Sequence, residues 1–102
     1  MIVCNFGNDY IRDKMVSIGQ LMFKRHLTDA GGGNISVKHN ENIYITPMMT
    51  GEKKRWKLQP DDLITVNAGT YDVIEGDPDM LSRESLMHLG IYKVMPEVGT
   101  VL

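Results

Sequence analysis

Three consecutive glycines, Gly31-Gly32-Gly33, constrain what this chain can fold into more than any other stretch of it. Each glycine costs roughly 1 kcal/mol relative to alanine inside a helix, so no helix runs through them. The segment before them is periodic. Ile11, Met15, Ile18 and Met22 recur at helical spacing, with Arg12, Asp13, Lys14 and Gln20 mostly off that stripe. The spacing predicts a helix over residues 9–28, ended by the glycines. Beyond them the pattern becomes that of strands. Ile35-Ser36-Val37 and Ile43-Tyr44-Ile45-Thr46 flank the polar, turn-prone His39-Asn40-Glu41-Asn42 and predict a β-hairpin.

Pro47 to Lys57 reads as a loop that carries Thr50-Gly51 and the basic run Lys53-Lys54-Arg55-Trp56-Lys57. Leu63-Ile64-Thr65-Val66 predicts a third strand, which turns through Asn67-Ala68-Gly69-Thr70 into a fourth, Tyr71-Asp72-Val73-Ile74. Ser82 is placed to cap a second helix running to about Met95, with Met87, Ile91 and Val94 on one face and Pro96 as its stop. Val98-Gly99-Thr100-Val101-Leu102 reads as the start of a buried strand, so the chain is expected to be the N-terminal piece of a longer protein. The order α-β-β-β-β-α-β points to an α/β or α+β sheet domain.

Composition narrows the function classes. At 102 residues, 42% hydrophobic and 24% charged, the chain fits one small globular domain rather than a disordered or disulfide-built one. A formal net charge of -2 gives no support to capture of nucleic acid or of an anionic membrane surface. No apolar run approaches the ~20 residues of a membrane helix. Cys4 is the single cysteine, which forbids an intrachain disulfide and fits a reducing cytoplasm.

Three places could carry chemistry. Gly31-Gly32-Gly33-Asn34 reads either as a helix-stopping turn or as a cradle where backbone N–H groups approach an anion, with Asn34 adding a side-chain donor. It is neither a Walker loop nor a dinucleotide fingerprint. Ser82-Arg83-Glu84 opens the second helix, where free N–H groups and the helix dipole favour an anion. Ser82 and Arg83 suit a phosphate and Glu84 a proton-transfer base or metal ligand; a plain cap with an acid in the first turn is the bland alternative. Glu84 and His88 share one helix face, as an ion pair or as part of a metal site that needs further ligands.

Taken together, Ala30-Gly-Gly-Gly-Asn34-Ile-Ser-Val37, Tyr44-Ile-Thr-Pro47, Leu58-Gln-Pro-Asp-Asp-Leu-Ile64 and Ser82-Arg-Glu84-(three residues)-His88 resemble the class II aldolase/adducin N-terminal family. The likeness runs from about residue 9 to 102. It implies a three-layer α/β/α fold around a mainly antiparallel sheet, with residues 1–102 the N-terminal part of one such domain. The fuculose-1-phosphate aldolase-like members are zinc enzymes that assemble as tetramers. By this resemblance Gly33 and Asn34 match the substrate loop, and Thr50-Gly51 the phosphate loop, although extra residues intervene after Pro47. Ser82 matches the first serine of a phosphate-binding pair, and Arg83 stands where many aldolases carry the second. Glu84 matches the catalytic acid/base, which can also approach the metal.

The resemblance also implies a His-X-His zinc motif and a later histidine beyond Leu102, so the 102 residues alone are expected to be inactive. For the intact protein it implies a cytoplasmic, homotetrameric, zinc-dependent lyase. That enzyme would cleave or form a C–C bond in a small sugar phosphate through an enediolate. A sugar-phosphate epimerase or dehydratase on the same scaffold, or a non-enzymatic adducin-like interaction domain, are the alternatives.

Overall fold

The computed structural model describes residues 8–27, 34–48 and 57–101. The helix expected over 9–28 is α1, Asn8–Lys24, and it stops short of the glycines: His26 takes φ 60°, and Leu27 N donates to Met22 O at 2.9 Å to close its end. Its buried stripe is rotated from the expected one. Met15 is fully buried and Ile11, Val16, Met22 and Phe23 pack partly against the same cluster, whereas Ile18 is exposed. Arg12, expected off the stripe, lies on it and is buried. Its guanidinium donates to Thr65 Oγ1 at 3.0 Å, pairs with the half-exposed Glu75, and sits 5.6 Å from the centre of the Tyr44 ring. A long cationic side chain thus crosses an apolar interface because its head finds partners on the far side.

The hairpin forms as expected, from β1 (Ser36–His39) and β2 (Asn42–Ile45). Asn40 takes φ 55° in the turn between them, a conformation asparagine tolerates better than most residues. The third strand is β3, Ile64–Asn67. The fourth starts later than expected: β4 is Val73–Glu75, because Tyr71 stays in the turn with φ 65°. Asn67 holds that turn by accepting from the backbone N–H groups of Gly69 at 2.8 Å and Thr70 at 3.0 Å. The chain ends in β5, Thr100–Val101, paired to β1 with Ser36 opposite Val101.

These strands form a five-stranded sheet in the order β4-β3-β2-β1-β5, antiparallel at every pairing. The second helix, α2 (Arg83–Val94), connects the β4 edge to the β5 edge and so crosses the sheet. Strand alternation sends residues to the two faces. Ile43, Ile45, Ile64 and Val66 pack with Leu89 and Tyr92 of α2, while Tyr44, between the two isoleucines, joins Met15, Ile35, Leu58 and Leu63 on the α1 side. Each fully buried side chain of that size contributes roughly 1.5–3 kcal/mol over leaving it in water. The result is the expected three-layer arrangement, helix, sheet and helix.

The segment from β4 to α2 is drawn tightly against the sheet. Gly76 adopts φ +94°, and a Cβ there would meet Ile64 Cα and Leu63 O at 3.1 Å, so glycine alone fits. Asp77 then caps the short turn Pro78–Met80, and Met48 N donates to Met80 O at 2.7 Å. These bonds bring Ser82 to the same end of the sheet as Asn34.

The Arg12 contact gives an asymmetric expectation. Arg12→Ala strips partners from buried groups and is expected to cost about 2–3 kcal/mol. Glu75→Ala removes a half-exposed acid and should cost under about 1 kcal/mol. Urea denaturation of the two variants checks the ranking.

Candidate functional site

Asn34 stands at the mouth of β1, on the same face as Ser36 two residues on, and its carboxamide has both ends tied. Nδ2 donates to Ser82 Oγ at 2.9 Å, and Oδ1 accepts from the Thr46 hydroxyl. Thr46 Oγ1 in turn accepts from Ile35 N at 3.0 Å. Ser82 is the N-cap of α2, its hydroxyl accepting from Ser85 N at 3.3 Å. The turn after β2, the entry to β1 and the start of α2 therefore meet around one amide. A helix N-terminus with a hydroxyl and a carboxamide beside it is suited to anionic oxygens.

Of the residues singled out in the sequence, the structure brings Asn34 and Ser82 into direct contact. Arg83 and Glu84 follow in the first turn of α2, both exposed, and neither side chain makes a hydrogen bond among the described residues. Gly33, Thr50 and Gly51 lie outside the described residues, as do Cys4 and Trp56.

The inward face of α2 differs from the expected one. Met87 and Val94 are 60% and 80% exposed, and the buried residues are Ser85, His88, Leu89 and Tyr92. His88 is consequently not a partner in a surface ion pair with Glu84. It is buried, with Nδ1 2.7 Å from Ser36 Oγ, and the same Ser36 oxygen lies 2.8 Å from the Tyr92 hydroxyl. Burial pushes the His88 imidazole below its ordinary value of 6.5, against the opposing pull of the Glu84 charge. Burial likewise pushes Tyr92 above 10.0, against its hydrogen bonds with Ser36 and Val101.

Ser36, Thr46, Ser85 and Tyr92 were not among the sequence candidates. Their signal was present but faint: Ser85, His88 and Tyr92 recur at helical spacing, a polar stripe where an apolar one would be usual.

A structural or catalytic zinc takes three or four protein ligands. Among the described residues no group of three or more His, Cys, Asp or Glu side chains converges. Glu84 is a single carboxylate, and His88 Nδ1 is occupied by Ser36. The described residues therefore do not make up a zinc site. No helix among them is long and apolar enough to cross a membrane.

Residues 13–102 match the class II aldolase and adducin N-terminal domain, and the chain belongs to that family. It is 33% identical over 89 residues to an L-fuculose phosphate aldolase of Methanococcus vannielii, covering 87% of this chain and 45% of that protein. It is 31% identical over 80 residues to a probable methylthioribulose-1-phosphate dehydratase of Acyrthosiphon pisum, covering 78% and 34%. Among solved structures, YgbL of Klebsiella pneumoniae, described as a putative aldolase/epimerase/decarboxylase, superposes with a TM-score of 0.78 at 26% identity, over 91% of this chain and 42% of that one. The chain thus spans less than half the length of these relatives, and the fold is that of the class II aldolases.

The buried imidazole sets a pH dependence. Below 6.5 the unfolded chain takes up a proton at His88 that the folded chain resists, so this contribution to stability is full above 6.5 and is lost as pH falls through the lowered folded value. The urea midpoint of the wild-type chain should therefore drop further between about pH 7.5 and 5.5 than that of His88→Gln, which has no imidazole to protonate.

Proposed function

We propose that this chain forms the substrate-anchoring and proton-transfer part of a class II aldolase-type lyase that acts on a small sugar phosphate. The observation that carries the reading is the Asn34–Ser82 contact, which holds the Asn34 carboxamide against the N-cap of α2. Asn34, Ser82 and the first-turn N–H groups of α2 would hold the phosphate, together with Gly33, Thr50 and Gly51, and Arg83 would add a positive charge. Glu84, two residues past Ser82 and exposed to an approaching substrate, would take up and return the proton. A positioned general base of this kind contributes about 10²–10⁴-fold to a rate.

Membership of the family and the sugar-phosphate names of its relatives support the substrate class. No step is assigned to zinc, since the described residues do not complete a site for it. In this reading the metal, a tetrameric assembly and a cytoplasmic location belong to an intact enzyme of which residues 1–102 supply the N-terminal part.

The dehydratase relative gives one specific reason for a second reading, elimination of water from the same kind of substrate. Both readings use Glu84 as base and the Asn34–Ser82 end as anchor, and product analysis separates them.

Two measurements test the proposal. Inorganic phosphate titrated into the labelled chain should shift the amide signals of Asn34, Ser82 and Ser85, and Asn34→Ala should weaken that binding about tenfold; absence of any shift at these residues refutes the anchor. In a catalytically competent form extended past residue 102, Glu84→Gln should lower turnover by at least about 10²-fold with little change in phosphate affinity. Near-normal turnover would remove the glutamate from the chemistry.

A further inference from the structure

The buried Ser36, His88 and Tyr92 take no part in the chemistry proposed above, yet they join β1 and α2 at one oxygen. We infer that Ser36 is the junction of a one-directional hydrogen-bond chain, Tyr92 to Ser36 to His88, that positions Glu84 relative to Asn34. This rests on the reading of Glu84 and the Asn34–Ser82 contact as the working site.

The direction follows from counting protons. Tyr92 is protonated at neutral pH and buried, and its proton has one acceptor among the described residues, Ser36 Oγ at 2.8 Å. Ser36, receiving from Tyr92, must direct its own proton to its other neighbour, His88 Nδ1 at 2.7 Å. His88 is then the acceptor, a neutral imidazole carrying its proton on Nε2. The opposite direction would strand the Tyr92 proton in the core without a partner.

The geometric consequence lies along α2. Asn34 and Ser36 alternate onto one face of the sheet, and Ser82 and His88 lie on the helix face turned toward them. The two resulting rungs, Asn34–Ser82 at 2.9 Å and Ser36–His88 at 2.7 Å, bracket Glu84 along the helix. Apolar contacts tolerate sliding and rotation; hydrogen bonds with defined donors do not. Two such rungs set both the axial register and the roll of the first turns of α2. Ser36 and His88 are therefore positioning residues for Glu84 and for the phosphate anchor.

The test uses the 102-residue chain with nitrogen-labelled histidine and backbone. At neutral pH the wild-type His88 ring should show a single tautomer, protonated on Nε2 and bare on Nδ1; protonation on Nδ1 overturns the chain's direction. Ser36→Ala should abolish the single tautomer, speed solvent exchange of the Asn34 side-chain amide, and weaken inorganic phosphate binding about tenfold. Ser36→Thr, which restores the hydroxyl, should recover all three. Wild-type phosphate affinity and an unchanged Asn34 amide in a folded Ser36→Ala chain would overturn positioning. If the wild-type chain binds no phosphate, the anchor reading fails separately, while the tautomer and the Asn34 amide still decide the network. If Ser36→Ala does not fold, Tyr92→Phe decides it: with no proton arriving from Tyr92, Ser36 is free to accept from His88, so the single tautomer should give way to a mixture and solvent exchange of the Asn34 side-chain amide should rise; an unchanged tautomer and Asn34 amide overturn the chain.

Discussion

The contact between β1 and α2 is polar where most helix–sheet contacts are apolar, and the candidate site depends on it. Ser36, Ser85, His88 and Tyr92 are all nearly fully buried, and His88 and Tyr92 both bond to Ser36. Burying such groups is unfavourable unless each is satisfied, so the packing is acceptable in few arrangements of the helix. The same demand that makes the seam costly makes it selective. With Asn34 and Ser82 closing its upper end, the start of α2 is held against the mouth of β1 with little latitude.

The remainder of the structure supports that seam from both sides. Ile43, Ile45, Ile64 and Val66 give α2 an apolar floor beside its polar contact, and Leu89 and Tyr92 rest on it. On the opposite face α1 packs over Tyr44, Ile35 and Leu63, with Arg12 reaching through to Thr65 and Glu75. Arg12 is a second instance of a polar group set in an apolar layer; its Nε has no partner among the described residues, so its stability rests on the terminal nitrogens and the Tyr44 ring. The helix whose outer face shows Leu86, Met87 and Val94 to solvent is thus secured from within rather than from without.

Family membership places this architecture with the class II aldolase and adducin N-terminal domains, while the chain spans less than half the length of the relatives compared. What these residues bring together is an amide, a capping hydroxyl and a helix N-terminus, with a carboxylate in the same first turn. In the proposed reading the chain would contribute binding and orientation, and the seam beneath would hold the acid in place for proton transfer. In that reading Ser36 and Asn34 would serve fold and function together.

Much of this was legible from the order of residues. The period-two alternation of Ile43-Tyr44-Ile45 and the cap at Ser82 determine local structure through short-range sterics and hydrogen bonding, and the elements expected lie within a few residues of those observed, although α1 ends before the glycine run expected to stop it. The recurring motifs identified the family. Three things were decided only in three dimensions. The inward face of α2 was read as Met87, Ile91 and Val94 because apolar spacing was the criterion, and that criterion is blind to a helix that buries polar groups against a serine on a distant strand. Arg12 was read as solvated because its acceptors, Thr65 and Glu75, are far along the chain. His88 was read as a partner of Glu84 because neighbours on a helix are visible in sequence, whereas its actual partner, Ser36, is brought to it by the sheet. Local sequence determined where the elements begin and end; which side chains meet depended on how the sheet and helices stack, since a buried polar group is stable only beside a partner that the tertiary fold delivers.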